Sequence, residues 1–370
     1  MALPIDRLRS DVRIFVSVVV ALTVIGLIFI YSSSSIFALE KYGSAHYFLK
    51  KQLFYLLPSI MGFFVFAIVP LRYWRRYSPW LFLGALFLTC LTFVPVLGLR
   101  FHGSNRWLSI AGVGFQPSEM LKLFLFMYMG FFLERKHDRI KSFVYTYLPF
   151  LAILGVTSIV LLKQPDFGSV VTIFTTSLML FFVAECRMIY LVITALCACP
   201  LVVYLVLAKS YRLKRILIFL NPWADPQGGG FQIIQSLIAI GSGQIWGLGI
   251  SNSKQKFFYL PMQHTDFIFP IIAEEVGFVG VIVLLALYML FCFLGLRIAV
   301  SLTNPFAFFT TLSFVLFISL QATINLMVST GLLPTKGLGL PFISYGGTAL
   351  VCFWCMIGFI VNSARAERTK

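Results

Sequence analysis

The sequence predicts an all-α membrane protein that crosses the bilayer about ten times. Hydrophobic residues make up 59% of the chain and charged residues 11%, and the mean hydropathy is +0.93, far from the composition of a soluble globular domain. A spanning helix needs ~20 mostly apolar residues, and stretches of that length recur along the whole chain. We therefore expect one integral membrane domain over residues 1–370, with no separate soluble domain.

Ten apolar stretches are candidates for the spans. The first is longer than the core of a signal peptide and no small-residue cleavage pattern follows it, so we interpret it as a retained span. The ten lie near residues 14–32, 51–69, 80–97, 116–133, 145–162, 168–184, 188–208, 267–296, 306–330 and 342–362.

The distribution of lysine and arginine predicts the orientation. With ten spans, both termini share one side with the cationic clusters at 72–76, 135–141 and 365–370, and the density of cations is higher there than in the longer loops opposite. By the positive-inside rule that side is cytoplasmic. The net charge of +16 is divided among many short loops, which favours anionic lipid over nucleic acid as a partner.

A long outer loop, residues 209–266, separates spans seven and eight. It begins with Arg212, Lys214 and Arg215 alternating with apolar residues, a pattern typical of an amphipathic helix in the membrane interface. The string NPWADPQGGG indicates turns. The apolar stretch after it is too short for a span and predicts a re-entrant or surface helix.

Charged side chains at the outer ends of spans are the candidate functional residues, because charge within a membrane is costly unless it is paired or hydrated. Glu119 and Lys122 in FQPSEMLKL are three apart on one helical face, which fits either a structural salt bridge or a polar pair lining a cavity. Upstream, the guanidinium of Arg106 suits bidentate binding of phosphate. Its neighbour Trp107 could equally be an interfacial anchor.

Asp166 in KQPDFGS lies in a short turn between two spans. We expect its side chain to cap the following helix near Gly168 and Ser169.

Asp266 in QHTDFIF is the strongest candidate for catalysis. It stands beside His264 at the outer start of a span, where it could cap the helix, accept a proton from a substrate hydroxyl or hold a divalent cation. Glu274 and Glu275 follow about two turns later. At least one must point into the bundle, where we expect Lys336 or Lys122 to pair with it.

Lys336 lies in GLLPTKGLGLPFISYGG, an apolar segment interrupted by proline and glycine. Irregular backbone at membrane depth normally lines a cavity or packs within protein. The segment is therefore a further candidate for part of a binding site.

Five strings in the chain together resemble a known family. FQPSEMLKL, KQPDFGS, GGGFQIIQSLIAIGSG, HTDFIF with AEEVG, and LPTKGLGLPFISYGG occur in this order. With ten predicted spans, they closely resemble the SEDS family of bacterial cell-wall glycosyltransferases, which includes RodA and FtsW proteins. The string LPTKGL is more similar to the division branch, FtsW, whereas FLKKQLFYLL and the short termini do not decide between branches.

This resemblance implies polymerisation of lipid II into peptidoglycan glycan strands at the outer face of the bacterial cytoplasmic membrane, during division or elongation. The family's essential aspartate falls on Asp266, its charged pair on Glu119 and Lys122, and its Arg-Trp pair on Arg106 and Trp107. It also implies partners: undecaprenyl pyrophosphate-linked glycan, a class B penicillin-binding protein, and divisome or elongasome proteins.

We hypothesise that Asp266 is the general base for the acceptor hydroxyl and that outer cations stabilise the departing pyrophosphate, possible ligands being Arg106, Arg212, Lys214, Arg215 and Lys336. A divalent cation, Mg or Mn, could assist, and no organic cofactor is expected. A transporter that moves lipid II across the bilayer is the alternative function, since buried charges also suit a polar pathway. The oligomeric state stays open.

Overall fold

The computed structural model describes residues 5–94, 98–101, 104–110, 113–207, 210–256 and 263–368. The predicted end of the third span at 95–97, the junction of the seventh span with the long loop at 208–209, and Lys370 of the cationic tail lie outside these ranges. The described residues contain twelve α-helices, a three-stranded sheet and short turns of 3-10 and π-helix.

Each of the ten predicted spans overlaps a helix, and two short helices lie in the long loop where they were expected; the number of spans stays a prediction. Their bounds are α1 Ile5–Tyr42, α2 Tyr47–Ile68, α3 Leu71–Leu91, α4 Pro117–Lys136, α5 Leu148–Lys163, α6 Phe167–Val183, α7 Met188–Leu207, α8 Ser210–Leu220, α9 Phe231–Ser242, α10 Ile268–Val300, α11 Pro305–Ser329 and α12 Gly347–Arg368.

The polytopic all-α fold predicted from composition is confirmed. In the described residues, six helical segments are long and apolar enough to cross a membrane by length and composition: 6–42, 47–68, 143–163, 268–300, 305–329 and 347–367. The helix that contains the predicted third span begins upstream of residue 80. Helix α3 begins at Leu71, so the three arginines assigned to a loop lie on its first turns.

Helix α4 lies inside the bundle and is covered by its neighbours, with α3 and α11 packed against it. Pro117 occupies its first turn, where a missing N–H costs nothing, and Glu119 is also in that turn. Most of the helix is buried, including the charged Lys122. A helix that is apolar on nearly all sides is stable only when it is buried in this way.

The start of α1 and the end of α12 lie at one end of the bundle, which we call the terminal end. Asp11 of α1 pairs with Arg297 at the end of α10, with 3.1 Å between Oδ2 and Nε. Asn362 of α12 donates to the carbonyl of Val69 after α2 at 2.6 Å. These contacts place the ends of four helices at the same level.

The opposite end, which we call the site end, carries the irregular structure. Strands β1 (Gly98–Phe101), β2 (Ser104–Ile110) and β3 (Val113–Phe115) form an antiparallel sheet in the order β1-β2-β3, where the sequence suggested only a short loop. The hydroxyl of Tyr55 donates to the carbonyl of Gly114 at 3.2 Å, which ties the sheet to α2.

Helix α10 is interrupted at Gly277, whose φ of 66° and ψ of −169° are accessible mainly to glycine. The end of α9 and the turn after it fill the break. The N–H of Phe278 donates to the carbonyl of Gln244 at 2.8 Å, and that of Leu248 donates to the carbonyl of Glu274 at 3.0 Å. The long loop therefore completes the hydrogen bonds that the helix loses.

Close packing between α2 and α12 depends on Gly358, where an added Cβ would lie 2.3 Å from the carbonyl oxygen of Phe63. We expect Gly358→Ala to force the helices apart and lower the unfolding free energy by about 1–3 kcal/mol. Thermal unfolding of the purified protein in detergent measures this. Gly84 of α3 has open space around it, so Gly84→Ala is the matched control; equal melting temperatures for both variants would contradict the prediction.

Candidate active site

The backbone around Asp266 is held by hydrogen bonds to three consecutive carbonyls. The N–H of Tyr345 donates to the carbonyl of His264 at 2.9 Å, and the hydroxyl of Ser344 donates to that of Thr265 at 2.5 Å. The amide of Asn325 on α11 donates to the carbonyl of Asp266 itself at 2.9 Å. The segment before α10 is therefore fixed by α11 and by the loop that precedes α12.

The carboxylate of Asp266 is free. It makes no hydrogen bond or ion pair with any residue in the described ranges, and it does not cap α10, whose N-cap is Phe267 without a side-chain cap bond. Burial raises the pKa of Asp266 to about 6, although the charges of Arg106 and Arg215 act in the opposite direction. A half-buried carboxyl with this pKa is a capable proton acceptor at neutral pH.

Asp266 stands where two cavities meet. The first, the bundle cavity, has a volume of about 1150 Å³ and is lined by residues that include Arg106, Trp107, Glu119, Asp266, Gln321 and Tyr345. The second, the loop cavity, has a volume of about 970 Å³ and is lined by residues that include Lys214, Arg215, Gln232, Asp266, Lys336 and Gly337. A Cβ on Gly337 would lie 3.3 Å from Oδ2 of Asp266, so glycine leaves the carboxylate unobstructed there.

A third space, the cationic cavity, adjoins both. Its volume is about 610 Å³, and its lining includes Arg106, Asp166, Phe167, Arg212, Arg215 and Lys336. Arg106 belongs also to the bundle cavity, and Arg215 and Lys336 belong also to the loop cavity. Positive charge is thus concentrated on one side of Asp266.

Arg106 connects the sheet to the α5–α6 turn. Its Nε donates to the carbonyl of Gln164 at 2.9 Å, a second nitrogen donates to the carbonyl of Pro165, and Nη1 lies 3.9 Å from Oδ1 of Asp166. Asp166 caps α6 as predicted, because its carboxylate accepts hydrogen bonds from the N–H and hydroxyl of Ser169. The guanidinium is therefore held in place at the edge of both cavities.

Phe167, at the start of α6, is a site residue that the sequence did not indicate. The guanidinium carbon of Arg212 is 5.6 Å from the centre of its ring, and Nζ of Lys336 is 5.5 Å from it, both within cation–π range. Arg215 of the same amphipathic helix donates to the carbonyl of Thr335 at 3.3 Å. Helix α8 and the Lys336 loop are thus joined over the cationic cavity, where burial lowers the pKa of Lys336.

Glu119 and Lys122 form the predicted salt bridge, with 2.6 Å between Nζ and Oε1. Glu119 lines the bundle cavity, so the salt bridge is confirmed, whereas only one member of the pair lines a cavity. Lys122 is 1% exposed and lies deeper, with Nζ 5.4 Å from the centre of the Phe317 ring. Lys122 lines none of the three cavities, so it reaches the site only through Glu119.

His264 lies behind Asp266 among aromatic rings. Its ring centre is 4.3 Å from that of Phe48 and 5.8 Å from those of Phe37 and Tyr345. Burial lowers the pKa of His264 to about 4, so the imidazole is neutral at physiological pH. It lines none of the three cavities.

The predicted pairing of Glu274 or Glu275 with Lys336 or Lys122 is wrong. Both glutamates are 1% exposed, and the cation that faces them is Lys256, whose Nζ lies 3.9 Å from Oε1 of Glu275. Lys336 and Lys122 are instead engaged at Phe167 and Glu119.

These two glutamates hold the end of the long loop. Glu274 accepts hydrogen bonds from the hydroxyl of Ser253 and from the N–H groups of Lys254 and Gln255. Glu275 accepts from the N–H of Ser253 at 3.4 Å and from the hydroxyl of Ser32 on α1 at 2.6 Å. The loop is thus clamped to α10 and α1 on both sides of the segment that carries Asp266.

The described side chains around Asp266 do not include a set of ligands for a protein-held metal ion. Within the ranges that the structure describes, no group of three histidine, cysteine or carboxylate side chains could hold an ion. The nearest charged neighbours include Arg106 and Arg215, and Asp166 is already committed to Ser169. This donor set favours a phosphate over a divalent cation, and a metal role for Asp266 stays a prediction.

The chain matches the family described as cell cycle protein, comprising FtsW, RodA and SpoVE, over residues 12–369. It is 41% identical to a probable peptidoglycan glycosyltransferase FtsW of Geobacter sp. (strain M18), over 98% of this chain and 99% of the relative. It is 37% identical to stage V sporulation protein E of Bacillus subtilis (strain 168), over 96% of this chain and 97% of the relative.

Two solved structures have a fold similar to that of this chain. One, described as structural coordination of polymerization and crosslinking by a peptidoglycan synthase complex, has 28% identity and a TM-score of 0.79, covering 96% of this chain and 98% of that one. Rod shape determining protein RodA of Thermus thermophilus has the same fold, with 23% identity, a TM-score of 0.70 and coverage of 95% and 96%. The chain is a multi-pass membrane protein and belongs to the FtsW/RodA/SpoVE family.

The hydrogen bonds and the ion pair by which Glu274 and Glu275 hold the long loop, which we call the glutamate clamp, predict a change in protease sensitivity. Glu275→Gln removes the only carboxylate within ion-pair distance of the buried Lys256 in the described residues, and a buried charge left without its partner costs about 1–3 kcal/mol or more. We expect trypsin to cut after Lys254 and Lys256 much faster in this variant, as measured by mass spectrometry of limited digests. The exposed Glu40 supplies the control Glu40→Gln. Equal cleavage rates in the two variants would show that the clamp does not hold the loop.

Proposed function

We propose that this chain is a peptidoglycan glycosyltransferase that polymerises lipid II at the outer face of the bacterial cytoplasmic membrane. The observation that carries the proposal is the free carboxylate of Asp266 at the junction of two cavities, with cations concentrated on one side of it. The enzyme needs an acceptor hydroxyl on one side of its base and an anionic leaving group on the other. The names of its relatives support the same activity.

In the proposed reaction, Asp266 accepts the proton of the acceptor sugar hydroxyl as that oxygen attacks the anomeric carbon of the donor strand. A new glycosidic C–O bond forms on the face opposite the pyrophosphate, and the bond between the anomeric carbon and the phosphate oxygen breaks. The electron pair leaves with undecaprenyl pyrophosphate, and the configuration inverts. The fixed backbone of residues 264–266 keeps the base in position between the reactants.

We assign stabilisation of the pyrophosphate leaving group to the cations of the cationic and loop cavities. Arg106, Arg215 and Lys336 line spaces next to Asp266, and Arg212 and Lys214 widen the positive surface. Guanidinium groups already held by backbone carbonyls, as those of Arg106 and Arg215 are, need little reorganisation when charge develops on the pyrophosphate. Glu119 and Trp107 line the bundle cavity, which we assign to the sugar of the other substrate.

We also propose an orientation of the chain in the membrane and a set of partners. The terminal end is proposed to be cytoplasmic and the site end periplasmic or extracellular, following the density of cations. A class B penicillin-binding protein would crosslink the strands, a role supported by the structural relative from a peptidoglycan synthase complex, and divisome or elongasome proteins would position the pair.

Replacing Asp266 by Asn should abolish strand formation while protein yield and lipid II binding persist. We expect a loss of about 10²–10⁴-fold in polymerisation rate, measured by separating glycan products made from lipid II in detergent. The exposed Asp6 at the terminal end supplies the control Asp6→Asn. Detergent offers no second compartment, so product from the wild-type chain excludes a purely transporting role; full activity of Asp266→Asn would remove Asp266 as the base.

The pKa of Asp266 predicts the acidic limb of the pH profile. Its carboxyl must be deprotonated to act as a base, so kcat/KM should fall about tenfold per pH unit below its pKa of about 6 and level off above it. Initial rates across that range, with stability checked at each pH, measure the limb. A flat profile through and below the pKa would contradict the assignment.

A further inference from the structure

A separate cavity opens at the terminal end of the bundle, away from Asp266. Two connections meet there: residues 137–147 between α4 and α5, and residues 184–187 between α6 and α7. The space between them has a volume of about 1260 Å³, and its lining includes His137, Asp138, Arg139, Lys141, Tyr145 and Arg187. None of these residues takes part in the proposed reaction.

The walls of this cavity are held in place by hydrogen bonds. The hydroxyl of Thr146 donates to the carbonyl of Arg139 at 2.7 Å, and that of Tyr147 donates to the carbonyl of Tyr190 on α7 at 3.0 Å. Tyr190 in turn donates through its hydroxyl to the carbonyl of Lys141 at 3.4 Å. The two connections therefore present their side chains from a fixed frame.

The cations in this cavity form no ion pair with a described carboxylate. In the described part of the chain, no carboxylate lies within ion-pair distance of Arg139, Lys141 or Arg187. The guanidinium of Arg139 lies 5.4 Å from the ring centre of Tyr145, and Nη1 of Arg187 is 3.5 Å from the hydroxyl of Tyr190. The lining holds these three cations against Asp138 and Glu185, and the excess of positive charge favours an anion.

Exposed apolar side chains continue from the cavity along the adjoining helices. Val144 is 62% exposed, Leu148 48%, Met188 54% and Ile189 56%. In a membrane-spanning bundle, such residues face lipid chains. The cations therefore lie at the depth of the head groups, directly beside a surface that accepts acyl chains.

We propose that this cavity binds an anionic phospholipid, with its phosphate held by Arg139, Lys141 and Arg187 and its acyl chains along α5 and α7. Basic pockets between spanning helices suit anionic lipid head groups. Asp138 and Glu185 also line the cavity and supply acceptors for head-group hydroxyls. This combination selects a polyol head group, of which phosphatidylglycerol is the probe.

Native mass spectrometry of the full-length protein, titrated with phosphatidylglycerol or phosphatidylcholine, tests the proposal. We expect the wild type to retain phosphatidylglycerol selectively and the triple variant Arg139→Gln/Lys141→Gln/Arg187→Gln to bind it on the order of 100-fold more weakly. Thermal unfolding with each lipid gives a second readout, since a ligand that binds the folded state raises its melting temperature.

The matched control is Arg72→Gln/Arg76→Gln/Arg365→Gln, which removes three exposed cations from the same end of the bundle but outside the cavity. It should keep the wild-type affinity. If the triple cavity variant fails to fold, Lys141→Gln alone should weaken binding ~5-fold. Equal losses in cavity and control variants, or equal binding of both lipids by the wild type, would overturn the proposal. Glycan polymerisation is not part of these readouts, so they stand apart from the proposed function.

Discussion

A charged side chain between packed apolar helices is stable only when it has a partner, and this requirement organises the site end of the bundle. Glu119 has Lys122, Asp166 has Ser169 and Arg106, and the two adjacent glutamates of α10 have the end of the long loop. Asp266 departs from the rule. The backbone of residues 264–266 is held by three hydrogen bonds, while the carboxylate of Asp266 is left to face two cavities.

Leaving the carboxylate of Asp266 without a partner has a free-energy cost. A half-buried carboxylate without a hydrogen-bond donor in the described residues is destabilised in its charged form, and this is the reason that burial raises the pKa of Asp266. The surrounding structure must compensate, and the glutamate clamp and the Asn325, Ser344 and Tyr345 contacts do so around the residue. Functional sites commonly retain such local cost because the unsatisfied group is the one that meets the substrate.

Local features of the site were accessible from the sequence, because they depend on spacing along one element. The Glu119–Lys122 pair and the Asp166 cap each join residues three positions apart, and the amphipathic pattern of α8 and the apolar runs predicted their helices correctly. Partners distant in sequence were not accessible. The hydroxyl of Ser32 reaches Glu275 across 243 positions, and the choice of Lys256 over Lys336 depends on how the long loop folds back.

Two further features could not be predicted from the sequence, for related reasons. Phe167 looked like one apolar residue among many, and only the approach of α8 and the Lys336 loop from different parts of the chain gives its ring two cations. The small sheet between α3 and α4 was hidden because its strands are short, and such pairing is determined by partners rather than by an individual strand's pattern.

The break at Gly277 divides α10 into two parts with different structural roles. The inner part, residues 278–300, is long enough to span the bilayer by itself at ~1.5 Å per residue, whereas the outer part is bonded to the long loop through Glu274 and Glu275. Spanning helices tilt to match the thickness of the surrounding lipid. The loop also binds the N–H groups of Phe278 and Val279, so the joint at Gly277 keeps its place together with the outer part and Asp266, and the rest of the inner part takes up a change of tilt.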